Sequence, residues 1–181
     1  MQKLEIYQSL WAMELRSPHV SERTAEESFA MIADASFDGV CLDPSAEEIP
    51  DLRQLDTLYK HYGLGCMVNA FPRHEGDMQP LLEFAKDFDA CMVNVISGVM
   101  PIRPEDAVPT VRRWMGEADD IGMPLLFETH RDGLLNDMYF TLQLMDLVPE
   151  MRLCADLSHF VVDRELRVPI PERDQAYIES I

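Results

Sequence analysis

The chain has 181 residues, enough for one domain with a substantial core, and 47% of them are hydrophobic, an ordinary share for a globular protein. Its 33 acidic residues against 15 basic ones leave a formal net charge of -18. Such a surface repels phosphate backbones and anionic lipid, so neither nucleic acid nor a membrane is an expected partner.

No apolar run reaches the roughly 18 residues of a membrane span. The opening residues pass straight into a strand pattern, without the long apolar region of a signal peptide. Cys41, Cys66, Cys91 and Cys154 are scattered, mostly within apolar runs, and no C-x-x-C pair suggests zinc or redox work. That is the pattern of reduced, buried cysteine in a cytoplasmic protein.

In chain order, residues 4–10 read as a strand, followed by a polar loop over 14–21. Thr24-x-x-Glu27 has the form of a capping box, so a helix is expected to start there, with Phe29, Ile32, Ala33 and Phe37 inward. Asp38-Gly39 turns the chain into a strand at 40–42. Leu52, Leu55, Leu58, Tyr59 and Tyr62 recur at helical spacing, and Gly63 suits the end of that helix. A strand at 64–69, a helix at about 78–88 and a strand at 91–96 follow. Pro104 suits the first turn of the next helix, whose inward positions are Val108, Val111, Trp114, Met115, Ala118 and Ile121. Pro109 is expected to fall still within about the first turn, where a missing N–H costs little. The remaining elements are a strand at 124–127, a helix at about 137–148, a strand at 152–156 and a last helical piece at about 172–181.

Strict strand–helix alternation, about six times, implies right-handed crossovers and a parallel sheet. A doubly wound nucleotide-binding sheet needs a Gly-rich turn after the first strand, and no G-x-G-x-x-G occurs anywhere in the chain. Polar residues stand instead at nearly every strand end: Gln8 and Ser9, Asp43, Asn69, Asn94 and Ser97, Glu128, Asp156. A ring of such residues surrounds the mouth of a (β/α)8 barrel. Since a whole barrel takes about 250 residues, residues 1–181 are expected to form a single partial TIM-barrel domain, cut before its last two strands. Its open first and sixth strands predict aggregation or a homo-oligomer.

Two stretches concentrate the chemistry: Phe127-Glu128-Thr129-His130-Arg131-Asp132-Gly133 and Ala155-Asp156-Leu157-Ser158-His159. Each follows a short apolar run, so Glu128, Asp156 and His159 are expected on one rim, placed to hold a divalent metal. Alternatives stand beside these roles. Glu128 can pair with Arg131, and Asp156 can cap the turn that follows it. His130 is expected to support the site or pack beside it. Arg131 suits a bidentate grip on a phosphate or carboxylate, or a plain ion pair. Gln8, Asn69 and Asn94 suit sugar hydroxyls or loop backbone, and Trp11 suits a pocket wall or rim packing. His19, His61 and His74 have no partner at ligand spacing and read as surface residues.

These two stretches, together with Tyr7-Gln8-Ser9-Leu10-Trp11-Ala12-Met13 and Phe37-Asp38-Gly39-Val40, resemble the xylose isomerase-like TIM-barrel superfamily of sugar (phosphate) isomerases and epimerases. The resemblance implies one divalent metal held by a Glu, an Asp, a His and a second Glu from the ends of strands five to eight. Glu128 and Asp156 match the first two, and Glu128 would also be catalytic. His159 matches a residue that contacts substrate, or a metal in endonuclease IV relatives. The later His and Glu have no counterpart in this chain. The implied cofactor is Mn2+, Mg2+ or Co2+, with Zn2+ next.

The function this implies is isomerisation or epimerisation of a small sugar or related ketose, by proton transfer through an enediolate or by hydride shift. One alternative is an endonuclease IV-like phosphodiesterase, disfavoured because the second, third and fourth strands end in Asp43, Asn69 and Asn94 rather than in His. The other is an inactive fragment or a barrel that only binds.

Overall fold

The computed structural model describes residues 4–181, so Met1 to Lys3, read above as the approach to the first strand, lie outside the described residues. Six parallel strands form one sheet in the order β1 to β6: Tyr7–Ser9, Gly39–Leu42, Gly65–Ala70, Val93–Val95, Leu125–Glu128 and Leu153–Cys154. The sheet curls as part of a TIM barrel, with helices on its convex side. The principal helices are α1 (Ala25–Asp34), α2 (Ile49–Leu52), α3 (Asp56–Tyr62), α4 (Met78–Asp87), α5 (Pro104–Asp120), α6 (Met138–Leu147), α7 (Ser158–Asp163) and α8 (Glu172–Ile178).

The boundaries follow local chemistry. At α1 the Thr24 hydroxyl accepts from Glu27 N while the Glu27 carboxylate accepts from Thr24 N, the expected capping box. Gly63 ends α3 in the left-handed conformation, at φ 64°, which a residue without Cβ adopts at no steric cost. Asp137 caps α6 by accepting from Phe140 N. Three strands are shorter than their apolar runs: residues 4–10, 91–96 and 152–156 yield Tyr7–Ser9, Val93–Val95 and Leu153–Cys154. An apolar run marks burial, whereas a strand ends where its neighbour's ladder ends. Pro109 also departs from expectation: it lies inside α5, beyond the first turn, where the helix forgoes one backbone bond.

Strand register sorts side chains onto two faces. Val40, Leu42, Val68, Ala70, Val93, Val95 and Phe127 face the helices and join one core with Phe29, Leu81, Phe84, Val111, Trp114 and Leu144. The alternate residues share the concave face: Tyr7 and Ser9, Gly39 and Cys41, Gly65, Met67 and Asn69, Asn94, then Leu126 and Glu128. Cys41 and Cys66 are buried, but Cys91 is exposed, so the expectation of buried cysteine fails there. The apolar run around Cys91 is only partly paired into the sheet. Among the described residues, no helix is long and apolar enough to cross a membrane.

Candidate active site at the carboxyl rim

β5 ends in Glu128, and the chain continues through Thr129 to His130. Residues two apart on an extended chain point the same way. Thr129, between them, is fully buried. His159 arrives from the first turn of α7, which is anchored by the buried Phe160. One ligand atom each from Glu128, His130 and His159 lies within 4.8 Å of the others. The two imidazole rings are 4.1 Å apart between centroids. His130 Nδ1 meets the Arg131 carbonyl. A carbonyl only accepts, so Nδ1–H is the donor of that contact.

Asp156 stands beside this group. Its Oδ2 is 3.5 Å from His159 Nε2. Its Oδ1 accepts from the Ser158 hydroxyl and from Ser158 N, so it also caps the turn that follows it. The Ser158 hydroxyl, then the Ser158 N–H, His159 and His130, hold the Asp156 carboxyl below its usual range. Between the two acidic residues, burial raises the Cys154 thiol first, and the charges of Glu128 and Asp156 add to it.

Glu128 also has a partner across the sheet. Asn94, 1% exposed, donates from Nδ2 to Glu128 Oε2 and, at 3.1 Å, to Asn69 Oδ1. Asn69 Nδ2 donates at 2.7 Å to Asp43 Oδ1, and the Ser9 hydroxyl donates at 3.0 Å to Asp43 Oδ2. Burial raises Asp43, an effect opposed by the bonds from Asn69 and Ser9. Ser9, Asp43, Asn69 and Glu128 line a cleft of about 1010 Å³, whose walls include Trp11, Arg73, His130 and Arg131.

The residues singled out from sequence thus divide. Glu128, His159, Asp156, Asn94 and Asn69 lie in or against one constellation. Arg131 and Trp11 are on the cleft wall, both exposed. Among the described residues Arg131 makes no ion pair with Glu128, while Trp11 carries the Arg16 guanidinium 3.8 Å above its ring. Gln8 is not brought to the site: it is out of phase with Ser9, and its amide donates to the Ser9 carbonyl at 3.0 Å. Sequence reasoning undervalued His130, although the Glu-x-His spacing on a strand end carried the signal. Asp43 was visible only as a strand-end acid. His19, His61 and His74 are exposed.

A carboxylate with two imidazoles is a donor set that divalent Mn, Fe, Co or Zn accepts. Asp156, expected from the sequence to share an ion with Glu128, lies outside this group: its Oδ2 is 3.5 Å from His159 Nε2, but His130 rather than Asp156 joins Glu128 and His159 within 4.8 Å.

No protein-family model and no curated protein matches the sequence. Solved structures share its fold. One is a D-allulose 3-epimerase from Methylomonas sp. in complex with D-allulose, 14% identical, TM-score 0.66, with 88% of this chain and 64% of that one covered. Another is a xylose isomerase-like TIM barrel protein from Mycobacterium smegmatis in complex with magnesium, 17% identical, TM-score 0.61, covering 96% and 71%. A third is a probable 3-DHS dehydratase from Bacillus anthracis, 15% identical, TM-score 0.59, covering 84% and 62%. The chain shares with these proteins the fold of part of a TIM barrel, and it spans 62% to 71% of their length.

Proposed function

We propose that this chain carries the metal-binding and proton-transfer part of an isomerase or epimerase acting on a small sugar or related ketose. The observation that carries the reading is the convergence of Glu128, His130 and His159 within 4.8 Å, on a cleft of about 1010 Å³. Glu128, His130 and His159 would hold a divalent ion, with Asp156 beside them as the group that orients His159. When bound, such an ion polarises a substrate carbonyl and its neighbouring hydroxyl, acidifying the hydrogen between them.

Glu128 is the base. Asn94 occupies Oε2, which leaves Oε1 to meet substrate. Removal of the proton next to the carbonyl yields an enediolate; return to the adjacent carbon isomerises, and return to the opposite face epimerises. Trp11 walls the cleft, and the Asn69 and Asp43 side chains offer hydrogen bonds to hydroxyls. Arg131 and Arg73 suit an anionic end of the substrate. A D-allulose 3-epimerase and an L-ribulose 3-epimerase share the fold, which supports a small sugar as substrate.

The test is Mn2+ and Mg2+ titration of the chain, with turnover assayed on a panel of ketopentoses and ketohexoses. Glu128→Gln is expected to weaken metal binding at least tenfold and abolish turnover while leaving the circular dichroism spectrum unchanged. Equal metal binding in the wild type and the variant would overturn the reading.

A further inference from the structure

Along the concave face, β1, β3, β4 and β5 and the loop just after β2 contribute Ser9, Asn69, Asn94, Glu128 and Asp43 to one hydrogen-bonded row. The row is polarised. Asp43 and Glu128 stand near its two ends, and an ionised carboxylate only accepts. Asn69 must therefore turn its NH2 toward Asp43, which turns its Oδ1 toward Asn94. Asn94 must answer with NH2, and the same nitrogen reaches Glu128 Oε2. This leaves Asn94 Oδ1 buried without a partner. A buried carbonyl is left unpaired only where the alternative is worse. Here the alternative puts that oxygen against both Asn69 Oδ1 and the Glu128 carboxylate.

We infer that Asp43 is a positioning residue for Glu128, acting through Asn69 and Asn94. It does not touch Glu128. It sets which way two amides face, so that the last of them delivers an N–H to Glu128 Oε2 and presents the other oxygen to the ligand. Ser9 holds Asp43 in place from the far side. With Asp43→Asn the first member can donate, Asn69 can turn over, and Asn94 can follow, withdrawing the N–H from Glu128. The consequence for metal rests on the proposed function; the amide orientation does not.

Two readouts test this on the 181-residue chain. In the first, without metal, the Asn94 side-chain amide is followed by 15N NMR. Asp43→Asn is expected to move the Asn94 Nδ2 proton that bonds Glu128 upfield as its bond to the carboxylate is lost. In the second, Mn2+ is titrated. Partners outside the coordination sphere typically contribute about 10- to 100-fold to metal affinity. Asp43→Asn is thus expected to weaken Mn2+ binding about tenfold, and Asn94→Ser by as much or more. The double variant should be no weaker than Asn94→Ser, since both act along one path.

Glu47→Gln removes an equal charge from the same cleft and should leave binding unchanged. An unmoved Asn94 amide, additive losses, or equal weakening by Glu47→Gln would each overturn the inference. If the wild type binds no Mn2+, the proposed function fails, and the amide shift alone decides the role of Asp43. If Asp43→Asn does not fold, Asn69→Ser cuts the row one strand nearer Glu128 and is read the same way.

Discussion

Tyr7 lies on the concave face level with Gly39 and, through it, Gly65. Its ring takes the space a side chain would need at either glycine. A Cβ on Gly39 would come within 2.3 Å of Tyr7 Cε1 and 2.4 Å of the Gly65 carbonyl oxygen; on Gly65 it would meet the Tyr7 hydroxyl at 2.9 Å. The first clash includes backbone, which cannot step aside, while the second is with the far end of a side chain. Gly39→Ala is therefore expected to destabilise the chain by about 3 kcal/mol, at the upper end of the usual range for overpacking, and Gly65→Ala by about 1 kcal/mol. Urea denaturation of both variants checks the order. Equal midpoints would mean that Tyr7, not the Gly65 carbonyl, absorbs both intrusions.

At the level of elements, α1 depends on its first turn. The Thr24 hydroxyl accepts from Glu27 N at 3.2 Å, and Glu27 Oε2 accepts from Thr24 N at 2.8 Å. Thr24→Ala should cost about 1 kcal/mol, read as a lower denaturation midpoint. Glu22 pins the preceding loop by accepting from Leu15 N and Arg16 N. Both carboxyls sit below their usual 4.5, chiefly because backbone N–H groups of Thr24, and of Leu15 and Arg16, bond to the charged form. A depressed carboxyl contributes its stability above 4.5 and loses it as pH falls through the lower folded value. The amide signals of Thr24 and Arg16 should thus titrate with midpoints below 4.5. Midpoints at or above that value would mean the caps are not formed in solution.

For the molecule as a whole, charge is strongly unbalanced. A net -18 on one domain repels itself, and the repulsion is screened over about 10 Å at 0.1 M salt. Adding NaCl from 10 to about 150 mM, a range that shortens the screening length from about 30 to 8 Å, should raise Tm. An unchanged or lower Tm would mean that the surface ion pairs, such as Arg53–Asp87 and Arg112–Glu150, outweigh the repulsion. Among the described residues, β1 and β6 each pair on one side only, and their ladders are short, three and two residues. Short edges limit strand-to-strand association.

What the sequence determined by itself is local. Alternating apolar runs and amphipathic stretches imply a parallel α/β sheet, because each pattern has its own period. The Thr24 box, Gly63 and Asp137 mark helix ends, because the partners of a cap are three or four residues away. Glu128, Asp156 and His159 were legible as rim residues, because both stretches follow apolar strand runs, but that His130 rather than Asp156 joins Glu128 and His159 was not. Tertiary structure decided whatever depends on register. A shift of one residue exchanges the faces of a strand, so Ser9 rather than Gln8 looks into the cleft. It also decided the partners of Glu128. Asn94, 34 residues away, meets it only because β4 and β5 align Asn94 with Leu126, two residues before Glu128 on the same face. No one-dimensional spacing contains that pairing, nor the row that runs from it through Asn69 to Asp43.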